Sequence, residues 1–147
     1  MGFMANECIT MNISYIIAPF TCWLVAGSLK FFINSLRSKG LALEQIGYGG
    51  FPSNHSAIVS GTAALIAFRE GINHPALGVA LTLCFIVMLD ANSLRRQIGK
   101  HAKAINTLTK KDSNINLRER MGHSKIEILG GIFVGITVAF IINTFLD

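Results

Sequence analysis

Residues 121–146 read MGHSKIEILGGIFVGITVAFIINTFL, and this stretch decides the fold class. From Ile128 to Leu146 it is almost wholly apolar, with no charged residue. That is the roughly 20 residues a helix needs to cross a bilayer. Immediately before it stand His123, Ser124 and Glu127, so the polar chemistry is set where a helix enters the membrane.

Working outward, three further apolar segments appear. They run from about Ile13 to Phe32, Ser56 to Phe68 and Ala76 to Leu89. The second and third are short and borrow polar ends such as His55 and Asp90. Small residues (Ser60, Gly61, Ala63, Ala64; Gly78, Ala80) let these helices approach closely. The glycine pairs Gly49-Gly50 and Gly130-Gly131 suggest tight backbone approach near the polar ends. In the polar segment that follows, Leu94, Ile98, Ala102 and Ile105 recur at helical spacing. They predict an amphipathic helix over 93–109, lying on the membrane surface. Lys110 to Asn116 reads as a turn. The expectation is an all-α integral membrane bundle in one domain (1–147), with about four transmembrane helices plus that interfacial helix.

Composition agrees. Of 147 residues, 51% are apolar and only 14% charged, with a mean hydropathy of +0.50, which excludes an ordinary soluble domain. The net charge of +5 is read as attraction to anionic lipid or a phosphorylated substrate and as a topology signal, not as nucleic-acid binding. Cys8, Cys22 and Cys84 show no metal or redox spacing; Cys22 and Cys84 read as small core residues. The first apolar stretch lacks the basic start and cleavage site of a signal peptide, so it is expected to be retained. With four spans, Lys30–His55 and Asn92–Glu127 lie on one side. Twelve of the thirteen Lys and Arg residues fall there, and only Arg69 lies opposite. The positive-inside rule makes that side cytoplasmic.

The polar residues divide by position. Pro52-Ser53 before an apolar run reads as a helix start, capped by Ser53 or Asn54, where backbone N–H groups and the helix dipole favour an anion. His55 sits in that first turn; a polar residue closing a helix end explains it too. His123 and Glu127, four apart, share a helical face, where a carboxylate can fix a histidine tautomer. An interfacial pair reaching for water accounts for the same spacing. Lys30 and Arg37 are two turns apart and face one way. Arg95 and Arg96 follow the third apolar segment, and Arg can grip two phosphate oxygens at once. Asp90 is an acid at the end of an apolar helix, either functional or part of an ion pair with Arg95, Arg96 or Lys30. His74 and His101 read as surface residues, and the four histidines lack metal-ligand spacing.

Taken in order, Lys30-x6-Arg37, Pro52-Ser53-Asn54-His55, and an Arg followed by His123-x3-Glu127 resemble the three-part signature of the type-2 phosphatidic acid phosphatases and vanadium-dependent haloperoxidases. The glycine-rich Pro-Ser-x-His-Ser segment, the run Val87 to Ala91 leading to Arg95-Arg96 and Gly99-Lys100, and Gly122 to Glu127 resemble the divergent branch of that superfamily. Four positions depart from the usual pattern. Ser38 stands for Pro, Asn54 for Gly and Glu127 for Asp, and Arg95/Arg96 lie far upstream of His123, which leaves Arg118 and Arg120 as further candidates for the third arginine.

The resemblance implies a membrane lipid-phosphate phosphatase. His123 would form a phosphohistidine, Glu127 would orient it, and His55 would protonate the leaving group and then activate water. Lys30, Arg37, Ser53 and Arg95 or Arg96 would bind phosphate, with no metal or other cofactor. The substrate would be a lipid phosphomonoester or isoprenoid (di)phosphate, and the reduced chain leaves room for a homodimer that completes the pocket. Two alternatives are a vanadate-dependent haloperoxidase and a non-catalytic membrane protein that binds anionic lipid.

Overall fold

The computed structural model describes residues 13–38, 50–109 and 116–146. Cys8, Gly49 and most of the turn expected over Lys110 to Asn116 lie outside the described residues. Five α-helices appear in chain order: α1 (Ser14–Ser38), α2 (Asn54–Glu70), α3 (Pro75–Leu89), α4 (Arg95–Leu108) and α5 (Lys125–Phe145). The fold is all-α.

Local chemistry sets the helix ends. Ser53 caps α2, its hydroxyl accepting from Ser56 N–H at 3.3 Å. Gly71 stops α2 with φ of +82°. His74 caps α3 through Nδ1, with Pro75 in the first turn where its missing N–H costs nothing. At the start of α5, Ser124 and Glu127 form a reciprocal capping box. No cap separates α3 from α4. A π-helical turn, Asp90–Leu94, joins them into one helical run.

Three helical stretches among the described residues are long and apolar enough to cross a membrane: Ser14–Leu36, Pro75–Leu108 and Lys125–Phe145. α2 is shorter, yet it runs between the same two ends, from Ser53 beside Glu127 to Arg69 beside Ser14 and Asn143. At 17 residues α2 is roughly 25 Å long, short of a hydrocarbon core of about 30 Å. It is sheltered by packing against α1, α3 and α5. The helix expected to lie on the membrane surface instead continues α3 directly. Its Gly99–Ala102 face is covered by the returning segment 116–121: a Cβ on Gly99 would strike the Glu119 carbonyl.

The packing is inverted relative to a water-soluble bundle. The core consists largely of small side chains: Ala18, Cys22, Ala57, Ala63 and Ala139 are buried, with Leu65 the largest fully buried one. Large apolar groups such as Phe20, Trp23, Val79, Phe85 and Phe133 face outward. Such a surface suits lipid, where helices associate by close approach instead of hydrophobic burial. The tightest crossing joins α2 and α5. A Cβ on Gly131 would meet Ser53 and Ser56, and one on Gly135 would meet the backbone of Ala57 and Gly61. The expected close approach at Gly130-Gly131 is present, with Phe51 lying over Gly130.

One end of the bundle is locked by Arg69. Its guanidinium donates to Ser14 Oγ, Asn143 Oδ1 and the Leu146 carbonyl, and it lies 5.7 Å from the Tyr15 ring centre. Tyr15 in turn donates to Glu70. The other end gathers the residues of interest.

Candidate functional site

The chain arrives at this end three times and is stitched to itself there. Ser53 N–H donates to the Glu127 carbonyl at 2.9 Å, tying the start of α2 to the start of α5. His123 N–H donates to the Ala91 carbonyl at 2.8 Å, tying the approach to α5 onto the π turn. Gly122 makes that approach possible. Its φ is +86°, and a Cβ would meet Arg96 Cγ at 2.6 Å and Ala91 O at 3.2 Å.

These stitches place the two histidine rings with centroids 6.1 Å apart. His123 is only 6% exposed. It precedes α5 instead of lying on it, so the expected one-face helical pair with Glu127 arises differently. The capping box folds the Glu127 side chain back past its own helix start. There Oε2 accepts from Ser124 N–H at 3.1 Å and from His123 Nδ1 at 2.9 Å. With Glu127 ionised, Nδ1 carries the proton and Nε2 keeps its lone pair.

His55 faces a different partner. Arg95 Nη1 lies 3.3 Å from His55 Nε2, and Arg95 Nε donates to Asp90 Oδ2 at 2.7 Å. A guanidinium has only donors, so Nε2 accepts and the neutral ring carries its proton on Nδ1. That Nδ1 is buried without a partner. Burial, and then the charges of Arg95, His123 and Lys30, push the His55 imidazole below its ordinary range; Asp90 opposes them. Lys30, half-buried on α1, interacts electrostatically with both Glu127 and His55.

The remaining candidates separate. Ser53 is fully buried, and its Oγ accepts from Ser56 N–H and Ser56 Oγ, so its visible work is capping and stitching. Asp90 pairs with Arg95, the first of the three partners considered from sequence. Arg96 is exposed and runs beside Gly122. Arg118 and Arg120 are exposed on the returning segment. The Arg37 side chain lies outside the described residues. His101 is exposed, as expected; His74 is exposed but caps α3. Cys22 and Cys84 are buried free thiols.

The long interval between Arg95 and His123 is an excursion that closes on itself. The chain leaves along α4 and returns as 116–122. Asn106 clasps the two: its Nδ2 donates to the Leu117 carbonyl and its Oδ1 accepts from Leu117 N–H, both at 2.8 Å. Sequence reasoning did not single out Asn106. Its position on the same helical face as Gly99 and Ala102 was the available signal.

A family model described as the divergent PAP2 family matches residues 11–138. The chain belongs to that family. A curated relative, the uncharacterized membrane protein YuiD of Bacillus subtilis (strain 168), is 29% identical over 114 residues, covering 66% of this chain and 72% of YuiD. No solved structure matches. Family membership, three apolar helices and a membrane-protein relative make this an integral membrane protein of PAP2-like type.

Proposed function

We propose that this divergent PAP2 protein is a phosphatase that removes a phosphoryl group from a lipid-borne phosphate by way of a phosphohistidine. The observation that carries the reading is the pairing of two histidines with different partners, one held by a carboxylate and one by a guanidinium, at one end of a lipid-facing bundle. His123 Nδ1 is held by Glu127 at 2.9 Å, and the His55 ring lies 6.1 Å away beside Arg95.

In the first step His123 Nε2 attacks phosphorus and the bond to the ester oxygen breaks. His55, protonated once the dianion is bound, gives its proton to the departing alkoxide. In the second step His55 takes a proton from water, the hydroxide attacks phosphorus, and the P–N bond returns its electrons to His123. Glu127 stabilises the positive charge His123 acquires. Arg95 and Lys30, with Arg37 assigned by the family motif, neutralise the phosphoryl oxygens, each worth about 3–4 kcal/mol in the transition state. The fatty or isoprenoid tail stays in the bilayer beside the exposed apolar faces. We place this end on the cytoplasmic side, because the sequence intervals 30–55 and 92–127 carry twelve of the thirteen Lys and Arg residues.

The test is phosphate release from a panel of lipid phosphates by purified protein in detergent with a chelator present. His123→Ala should abolish turnover, and His55→Ala should slow it by about 10²–10⁴-fold. Acid-labile phosphate trapped on the wild type and absent from His123→Ala identifies the nucleophile. Undiminished turnover in His123→Ala would sink the proposal.

A further inference from the structure

The Asp90–Arg95–His55 chain contains more than a phosphate ligand. Asp90 and Arg95 are five residues apart. In an α-helix that spacing would turn their side chains about 140° from each other. The π turn removes this offset, since Arg95 N–H donates to the Asp90 carbonyl and residues i and i+5 come into line. The two side chains therefore meet on one face, at 2.7 Å. Arg95 then has its Nε committed to Asp90 and its Nη1 committed to His55 Nε2. Without ligand, the guanidinium occupies the lone pair on which His55 would hold a proton. Among the described residues His55 has no other hydrogen-bond partner: its Nδ1 is buried and unpaired there.

We propose that Asp90 is the positioning residue for Arg95, and that the Asp90–Arg95 pair holds His55 in its unprotonated-Nε2 state until a phosphate oxygen takes over the Arg95 Nη1 hydrogens. Arg95 pivots about the Nε–Asp90 bond, exchanging one acceptor for another. His55 Nε2, released, accepts a proton from solvent or from the phosphate monoanion. No other bond forms or breaks. The groups that bear on His55 are Arg95 from α4, Asp90 from the π turn, His123 ahead of α5 and Lys30 from α1. Of these only Arg95 hydrogen-bonds to the ring, so only Arg95 can both block and release it. The inference rests on the oxyanion site proposed above, but not on its turnover.

The sign of one measurement separates positioning from simple charge. Asp90 is an acid near an anion site, so by electrostatics alone Asp90→Asn should tighten phosphate binding. If Asp90 instead holds Arg95 in place, the same substitution weakens inorganic phosphate by about tenfold, the worth of one charge-assisted hydrogen bond. Asp90→Glu should recover most of the loss.

The companion readout uses the full chain in detergent with ¹⁵N-labelled histidine. In the wild type, saturating inorganic phosphate should move the His55 titration midpoint upward. In Arg95→Lys, which keeps the charge but cannot bridge Asp90 and His55, that movement should shrink. If Asp90→Asn folds poorly, Arg95→Lys carries the test alone. Tighter phosphate in Asp90→Asn, or an undiminished His55 response in Arg95→Lys, overturns the inference even if the protein hydrolyses lipid phosphates. A phosphate-dependent His55 shift that Arg95→Lys reduces, in a protein with no turnover, supports it and removes only the hydrolase reading.

Discussion

Glu127 performs two tasks with one carboxylate. It closes the capping box at Ser124 N–H, and it accepts from His123 Nδ1. The tasks are separable by substitution. Gln at N3 still serves a capping box, but a neutral amide neither favours the charge on His123 nor dictates its tautomer. Glu127→Gln should therefore keep the wild-type melting temperature while turnover falls by about 10²–10⁴-fold. Glu127→Ala should lose the same activity and also about 1 kcal/mol of stability. Thermal melts and rates in one detergent check both; equal melting losses would show that the carboxylate charge, not the cap, holds this end together. At this scale the sequence was informative where partners lie close along the chain. Ser53 as a cap and the His123–Glu127 pairing follow from local spacing. Asp90 had three candidate partners because spacing five means nothing in an α-helix, and only the π turn gives it meaning. Arg95 and Arg96, adjacent in sequence, could not be told apart until the turn fixed which one returns to the histidines.

Among the elements, the crossing of α2 and α5 sets how precisely the two halves of the site can be registered. Ser53–Glu127 is the hydrogen bond at its mouth, and Gly131 and Gly135 continue the contact inward. Opposite Gly135 stand Ser60 Oγ and, almost as close, the backbone of Ala57 and Gly61, which cannot move aside as a flexible side chain would. Gly135→Ala should cost about 1–3 kcal/mol by overpacking and lower turnover, although no polar atom of the site is touched. Gly78→Ala is the control, because nothing lies within 4 Å of its added methyl on exposed α3. It should be neutral or gain up to about 1 kcal/mol from helix propensity. A thermal shift series on the two variants decides; equal behaviour would mean the crossing is looser than drawn. Helix positions were legible from apolar runs and start signals. The continuity of α3 into α4 was not, because the pattern changes from apolar to amphipathic there and a change of pattern reads as a break. The 3.6-residue period of α4 was correct, but its buried face meets the returning segment, which periodicity cannot reveal.

For the molecule as a whole, polar chemistry is divided between two ends. Arg69 locks one with Ser14, Tyr15, Asn143 and Leu146, and the histidines occupy the other. This division gives the sidedness proposal a direct check. With Cys8 replaced by Ser, and with Cys22 and Cys84 buried, Ile72→Cys and Lys100→Cys become reporters for opposite ends. A membrane-impermeant thiol reagent should label Ile72→Cys on intact cells and Lys100→Cys only after permeabilisation. The reverse pattern would put the histidines outside. The membrane character was evident from composition, whereas the central place of α2 was not. A 17-residue helix rich in small and polar residues reads as a short span, and in the structure it is also the strut around which the longer helices stand.

The bond from His123 N–H to the Ala91 carbonyl has a further consequence. It closes the interval between Ala91 and His123 at its base, and the Asn106–Leu117 hydrogen bonds clasp the same excursion farther out. What the histidine experiences is that base, not the contour length of the excursion. Evolution could lengthen or shorten the excursion without moving His123 relative to Arg95, provided Gly122 still turns the chain and Ala91 still offers its carbonyl. A signature defined by counting residues between an arginine and a histidine would therefore miss a site assembled by such closure.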